Sequence, residues 1–130
     1  MARDPKLILH IEDNPSNRKV VRHILRQTQY HLLEAEDGGK GLEMAAREKP
    51  NLILLDLQLP VLPGREVARR LKADSQLRHI PIIVLTSYAL RGDREEALEA
   101  GADEYLAKPY RPQQLLEQLD KYLSAQVGHG

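Results

Sequence analysis

Leu52-Ile53-Leu54-Leu55-Asp56 is a run of four apolar residues closed by a carboxylate. A strand with one face in water alternates apolar and polar residues, so an unbroken run is expected where helices cover both faces. Ile80 to Leu85, followed by Thr86-Ser87, is a second run of this kind, and both are expected at the centre of a sheet. Working outward, Leu7 to Ile11 reads as a short strand ending in Glu12-Asp13. Asn14-Pro15 then supplies a helix cap and a first-turn proline. Val20, Val21, Ile24, Leu25 and Thr28 recur at helical spacing, with Arg18, Lys19, Arg22 and Arg26 mostly on other faces.

Tyr30 to Glu36 is more polar and is expected as an edge strand before an Asp37-Gly38-Gly39 turn and a small helix through Leu42, Ala45 and Ala46. A helix with Val67, Ala68 and Leu71 separates the two apolar runs. Another, of about Leu90 to Ala100, stops at Gly101. Tyr105 to Ala107 is the last strand, and Pro112 opens a final helix with a stripe of Leu115, Leu116, Leu119 and Leu123. Strands alternating with helices imply right-handed crossovers and a parallel sheet, the doubly wound α/β class. At 130 residues the chain is expected to form one domain, residues 1–130 with a core of about 6–125, leaving no room for an output domain.

Composition narrows the function. Nineteen basic residues balance nineteen acidic ones, so no global field draws the chain to nucleic acid or an anionic membrane. With no cysteine, disulfides, thiolate metal sites and a Cys nucleophile are excluded, and a reducing cytoplasmic setting is the expectation. The N-terminus precedes only a five-residue apolar stretch, too short for a signal peptide or a membrane span. The absence of Phe and Trp leaves a core of Leu, Ile, Val and Ala.

Ligands of open α/β sheets bind beyond the carboxyl ends of the strands. Those ends are Glu12-Asp13, Asp56, Thr86-Ser87 and Lys108-Pro109, which would bring three carboxylates, a hydroxyl pair and an ammonium into one cleft. Crowded carboxylates call for a cation, and an all-oxygen set suits Mg²⁺, which keeps waters and accepts phosphate oxygens. Such a site can run phosphoryl transfer to a carboxylate, with Lys108 as a point charge on one phosphoryl oxygen and the Thr86 hydroxyl donating to another.

Here the sequence resembles the receiver domains of two-component response regulators, the stand-alone chemotaxis type in particular. The matching stretches are Ile11-Glu12-Asp13-Asn14, Leu54 to Pro60, Leu85-Thr86-Ser87 and Asp103 to Pro109, in order and in register. The resemblance implies a flavodoxin-like sheet of order 2-1-3-4-5 with five helices. It makes Asp56 the phosphoacceptor, Asp13 a direct Mg²⁺ ligand, Glu12 an acid acting through water, and Gln58 the donor of a backbone carbonyl to the metal. Asp56, Lys108 and Thr86 would carry the chemistry, with no organic cofactor. Thr86 and Tyr105 resemble the family's switch pair, and Lys108-Pro109 its cis peptide bond. A histidine kinase or histidine phosphotransfer protein is the implied donor, with helix one in its docking surface. A downstream protein would read the face of helix four, strand five and helix five. The protein is expected to be a monomer or weak homodimer that resets by self-dephosphorylation and does not turn over external substrates.

Two positions depart from the common pattern: Leu62-Pro63-Gly64 suggests a stiffer loop after strand three, and Glu12 stands where aspartate is more frequent. Plainer readings stand beside these. Asp13 or Asp56 alone could be a helix cap, Tyr105 a core tyrosine, and the basic residues of helix one a solvated face. Tyr88 and Tyr110 flank the cleft but also suit loop packing. His10, His23, His31, His79 and His129 show no metal-ligand spacing, and Gly38-Gly39-Lys40-Gly41 lacks the full phosphate-loop pattern. Three rival functions remain: a receiver detached from a hybrid histidine kinase, a pseudo-receiver that signals without phosphorylation, and an aspartate-nucleophile phosphatase. The last wants an acid where Gln58 stands.

Overall fold

The computed structural model describes residues 5–87 and 92–124. The strands are β1 (Leu7–Ile11), β2 (His31–Ala35), β3 (Leu52–Leu55), β4 (Ile82–Thr86) and β5 (Glu104–Ala107). The helices are α1 (Pro15–Leu25), α2 (Gly38–Glu48), α3 (Gly64–Ala73), α4 (Asp93–Glu99) and α5 (Pro112–Ser124). All strand pairs are parallel and the sheet order is β2-β1-β3-β4-β5, as the sequence predicts.

The alternation of side chains along each strand divides the core into two layers. Leu9, Ile11, Ile53, Leu55, Ile82 and Val84 pack with Ala45, Val67, Leu71 and Ala97 of α2, α3 and α4. Ile8, Leu52, Leu54, Ile83 and Leu85 pack with Val21, Ile24 and Leu25 of α1 and Leu115, Leu119 and Leu123 of α5. Every residue of β3 and β4 is buried, which is why both lack polar alternation. At the edge, β2 is only partly covered.

Local chemistry moves several expected boundaries. The Asn14 side chain accepts from Ser16 N and Asn17 N, and Pro15 opens α1 as expected. Thr28 lies beyond the helix, because its N and Oγ1 both donate to Leu25 O, at 2.9 and 2.7 Å, and close the C-terminus. The glycines after Asp37 are the first turn of α2 instead of a free turn, with Asp37 Oδ1 accepting from Lys40 N at 2.8 Å. A Cβ at Gly38 would lie 2.8 Å from Val67 Cγ2, and one at Gly41 2.5 Å from Ile11 Cδ1, so the glycines let α2 approach β1 and α3 closely. β4 begins at Ile82 and includes Thr86; Pro81 has no N–H to donate and contributes only its carbonyl, which accepts from Ile53 N. α4 begins at Asp93 after Gly92 at φ 94°; the expected start at Leu90 lies outside the described residues, as do Tyr88 and His129.

Candidate functional site

The strand order reverses between β1 and β3, so their carboxyl ends diverge into loops and leave a crevice. Glu12 and Asp13 follow β1 directly, and Asp56 follows β3. Ligand-capable oxygens of the three carboxylates lie within 4.8 Å of one another. Glu12 and Asp56 are buried and Asp13 is exposed, so one wall of the cluster opens to solvent.

Each acid is held differently. Asp56 N donates to Ile11 O at 3.2 Å, which ties β3 to β1, while Asp56 Oδ1 accepts from Gln58 N at 3.0 Å. Glu12 Oε1 accepts from Lys108 Nζ at 2.9 Å and Oε2 from Asn14 N at 3.2 Å. Directly after β5, Lys108 is fixed in turn by its own N–H to Thr86 O at 2.8 Å, and its bond to Pro109 is cis. Thr86 is fully buried at the end of β4. Tyr105, half-buried on β5, packs on the core layer of α2, α3 and α4.

The loop after β3 is shaped by backbone requirements. A Cβ on Gly64 would lie 2.3 Å from Asp56 O and 2.7 Å from Leu57 Cα, so only glycine lets α3 start against the peptide that bears Asp56. Val61, fully exposed, sits at φ 65°, a left-handed conformation that β-branched residues avoid. It lines a cleft of about 600 Å³ with Asp13, Glu36, Asp37, Pro60 and Leu62, beside the open wall of the acid cluster.

Thus Glu12, Asp13, Asp56 and Lys108 come together at the strand ends, while Thr86 meets them through its backbone carbonyl, which accepts from Lys108 N. Gln58 contributes an N–H to Asp56, and its side chain is exposed. Tyr110 borders the Lys108-Pro109 turn; burial, helped by the Glu12 charge, pushes its phenol up to about 12. Two features escape the sequence reading. His10 is buried, with both ring nitrogens lacking hydrogen-bond partners among the described residues, and Arg18 Nη1 donates to Glu12 O at 2.8 Å. Arg18 sits in a basic helical stretch whose periodicity marks it as solvated, and no local signal separates it from its neighbours.

A doubly wound sheet that gathers three acids and a lysine at its β1/β3 crevice defines a phosphoacceptor switch. Residues 8–120 match the response regulator receiver domain, and the chain belongs to that family. It is 37% identical over 119 residues to the polar-differentiation response regulator DivK of Brucella anthropi, covering 92% of this chain and 97% of that one. Among solved structures, it resembles the receiver domain of sensor histidine kinase PA1611 from Pseudomonas aeruginosa PAO1, with 39% identity and a TM-score of 0.86. That comparison covers 93% of this chain and 99% of the other, whose active-site cleft coordinates a magnesium ion. A CheY-like receiver domain protein from Methanospirillum hungatei JF-1 gives 31% identity and a TM-score of 0.88, covering 98% and 100% of the two chains. The chain is a two-component response regulator domain, not a turnover enzyme, and its class implies a histidine kinase partner. No helix among the described residues is long and apolar enough to cross a membrane.

Proposed function

We propose that Asp56 accepts a phosphoryl group from a phosphohistidine of a histidine kinase or phosphotransfer protein. An Asp56 carboxylate oxygen forms the new O–P bond as the N–P bond breaks and the imidazole leaves with the electron pair. The observation that carries this reading is the placement of Asp56 within 4.8 Å of Glu12 and Asp13, with Lys108 on the same cluster. The donor set fits Mg²⁺: carboxylate oxygens only, one face open for waters and phosphate oxygens. Asp13 and Asp56 would ligate it directly, Glu12 through water, and Gln58 by its carbonyl. When bound, the metal neutralises charge on the transferring group.

Lys108 then exchanges its partner, Glu12, for a phosphoryl oxygen, and the Thr86 hydroxyl donates to another. Thr86 and Tyr105 form the switch pair, coupling the phosphoryl group to the face of α4, β5 and α5, where a downstream protein reads the state. Water attack on the aspartyl phosphate resets the switch. A groove of about 410 Å³ lined by Lys19, Val20 and Ile24 of α1 together with Tyr110 and Pro112 is the docking surface for the phosphodonor. We place the protein in the cytoplasm as a stand-alone regulator, monomeric or weakly dimeric. Similarity to the PA1611 receiver favours a second reading, a receiver attached to its own kinase, which differs in partner and not in chemistry.

Intact-mass measurement after incubation with acetyl phosphate and Mg²⁺ tests the site. The wild-type chain gains one labile phosphoryl group and Asp56→Asn gains none; equal labelling of the two overturns the assignment.

A further inference from the structure

We infer that Arg18 is a positioning residue for the acid cluster, setting the peptide plane between Glu12 and Asp13 and thereby the aim of the Asp13 carboxylate. This rests on the reading of the cluster as the Mg²⁺ site. Although Arg18 belongs to α1, its guanidinium turns back over the β1–α1 turn, and Nη1 donates to the Glu12 carbonyl at 2.8 Å. A charged donor makes this stronger than a bond between neutral groups.

The remainder of the turn explains why that bond matters. Glu12 N donates to Ala35 O at 2.9 Å, and the Glu12 carboxylate is held by Lys108 and Asn14 N, so the residue is fixed on every side but its carbonyl. Asp13 follows across one planar peptide and is exposed. Because the Glu12 C=O, the Asp13 N–H and the Asp13 Cα share a plane, holding the carbonyl fixes the Asp13 N–Cα bond and leaves φ as the one backbone torsion between that carbonyl and the Asp13 side chain. Arg18 is half-buried and lines a pocket with Glu34, Ala35 and Glu36, at the end of β2.

The plain alternative makes Arg18 another basic residue on a solvated helix. Arg22, one turn further along, provides the comparison: its Nε and Nη2 bond the Glu34 carboxylate at 3.1 and 2.9 Å, an attachment of α1 to β2 away from the turn. Both arginines tie α1 down, but Arg18 alone of the pair bonds a residue of the cluster.

Electrostatics and positioning predict opposite signs. Removing a positive charge beside three carboxylates should, by field alone, tighten cation binding. Loss of the positioning bond should weaken it, by about tenfold if it acts as outer-shell partners do. The experiment is Mg²⁺ titration by calorimetry on the full chain, with Arg18→Met and Arg22→Met, which keep the aliphatic stems, and far-ultraviolet circular dichroism to confirm that both are folded. The expected result is an Arg18→Met dissociation constant raised about tenfold, with Arg22→Met within about twofold of wild type. Unchanged or tighter binding in Arg18→Met, or equal weakening in both variants, overturns the inference. Absence of Mg²⁺ binding by the wild-type chain overturns the metal-site reading itself, a distinct outcome.

Discussion

Lys108 Nζ and Glu12 Oε1 stand 2.9 Å apart across 96 positions of sequence, joining the ends of β5 and β1 over the acid cluster. The Glu12 side chain has no solvent exposure and that of Lys108 only 15%, so bulk water solvates the Lys108 charge slightly and the Glu12 charge not at all. A pair buried to this degree contributes less by its own strength than by the damage its rupture does. Lys108→Met should therefore lose about 3 kcal/mol in EDTA, the scale of a buried charge left without its partner. Mg²⁺ should restore part of that loss by supplying a cation to the same carboxylates. Urea unfolding in EDTA and in Mg²⁺ checks this; a loss below about 1 kcal/mol, the ordinary range of surface pairs, contradicts it. The variant should also fail to be phosphorylated by acetyl phosphate at a rate comparable with wild type.

Gly64→Ala is expected to be costly for a different reason. The added methyl would sit 2.3 Å from Asp56 O and 2.7 Å from Leu57 Cα, both backbone atoms that cannot rotate away. Either α3 shifts from the sheet or the Asp56 peptide moves, at about 2–3 kcal/mol for an overpacked site without slack. The same shift would disturb the cluster, so Mg²⁺ affinity should fall with stability. Thermal unfolding with calorimetric titration measures both, and a variant matching wild type in each removes the steric argument.

How far the sequence carries can be seen from particular residues. The buried strands and the acids at their ends were legible, because uninterrupted Leu52-Ile53-Leu54-Leu55 has few solutions other than a covered strand, and Asp56 must then fall at its carboxyl end. Thr28 fitted the apolar spacing of α1 and still lay outside it, since a hydroxyl able to bond the Leu25 carbonyl competes with helix continuation. Gly38 and Gly39 read locally as a turn, whereas the reason for a glycine at 38 is Val67, remote in sequence. Arg18 was hidden similarly: its bond to Glu12 O depends on how α1 lies over the turn, which periodicity does not encode.

Val61 offers a stability gain. A β-branched side chain at φ 65° pays for a left-handed backbone, and full exposure returns nothing in packing. Asparagine tolerates that conformation, so Val61→Asn should stabilise the fold by about 1 kcal/mol. Differential scanning calorimetry gives the answer, and a lower melting temperature would show that Val61 makes contacts worth more than its strain.

His10 gives the fold a pH dependence of definite sign. Burial, with the positive charges of Lys108 and Arg18 adding to it, lowers its imidazole from 6.5 to about 3. An unfolded chain takes up a proton on His10 as pH falls through 6.5, while the folded chain refuses it until about pH 3. Stability from this residue is therefore constant above 6.5 and is lost on acidification between 6.5 and 3, at up to about 1.4 kcal/mol per pH unit. Carboxylates titrate in part of the same window, so the informative quantity is the difference between wild type and His10→Leu. Leucine also removes two buried nitrogens without partners among the described residues, and should stabilise by about 1 kcal/mol at pH 7.5. The gap should widen as urea unfolding is repeated at pH 6, 5 and 4. A gap constant across that series would mean that the folded protein accepts the proton on His10 as readily as the unfolded chain does.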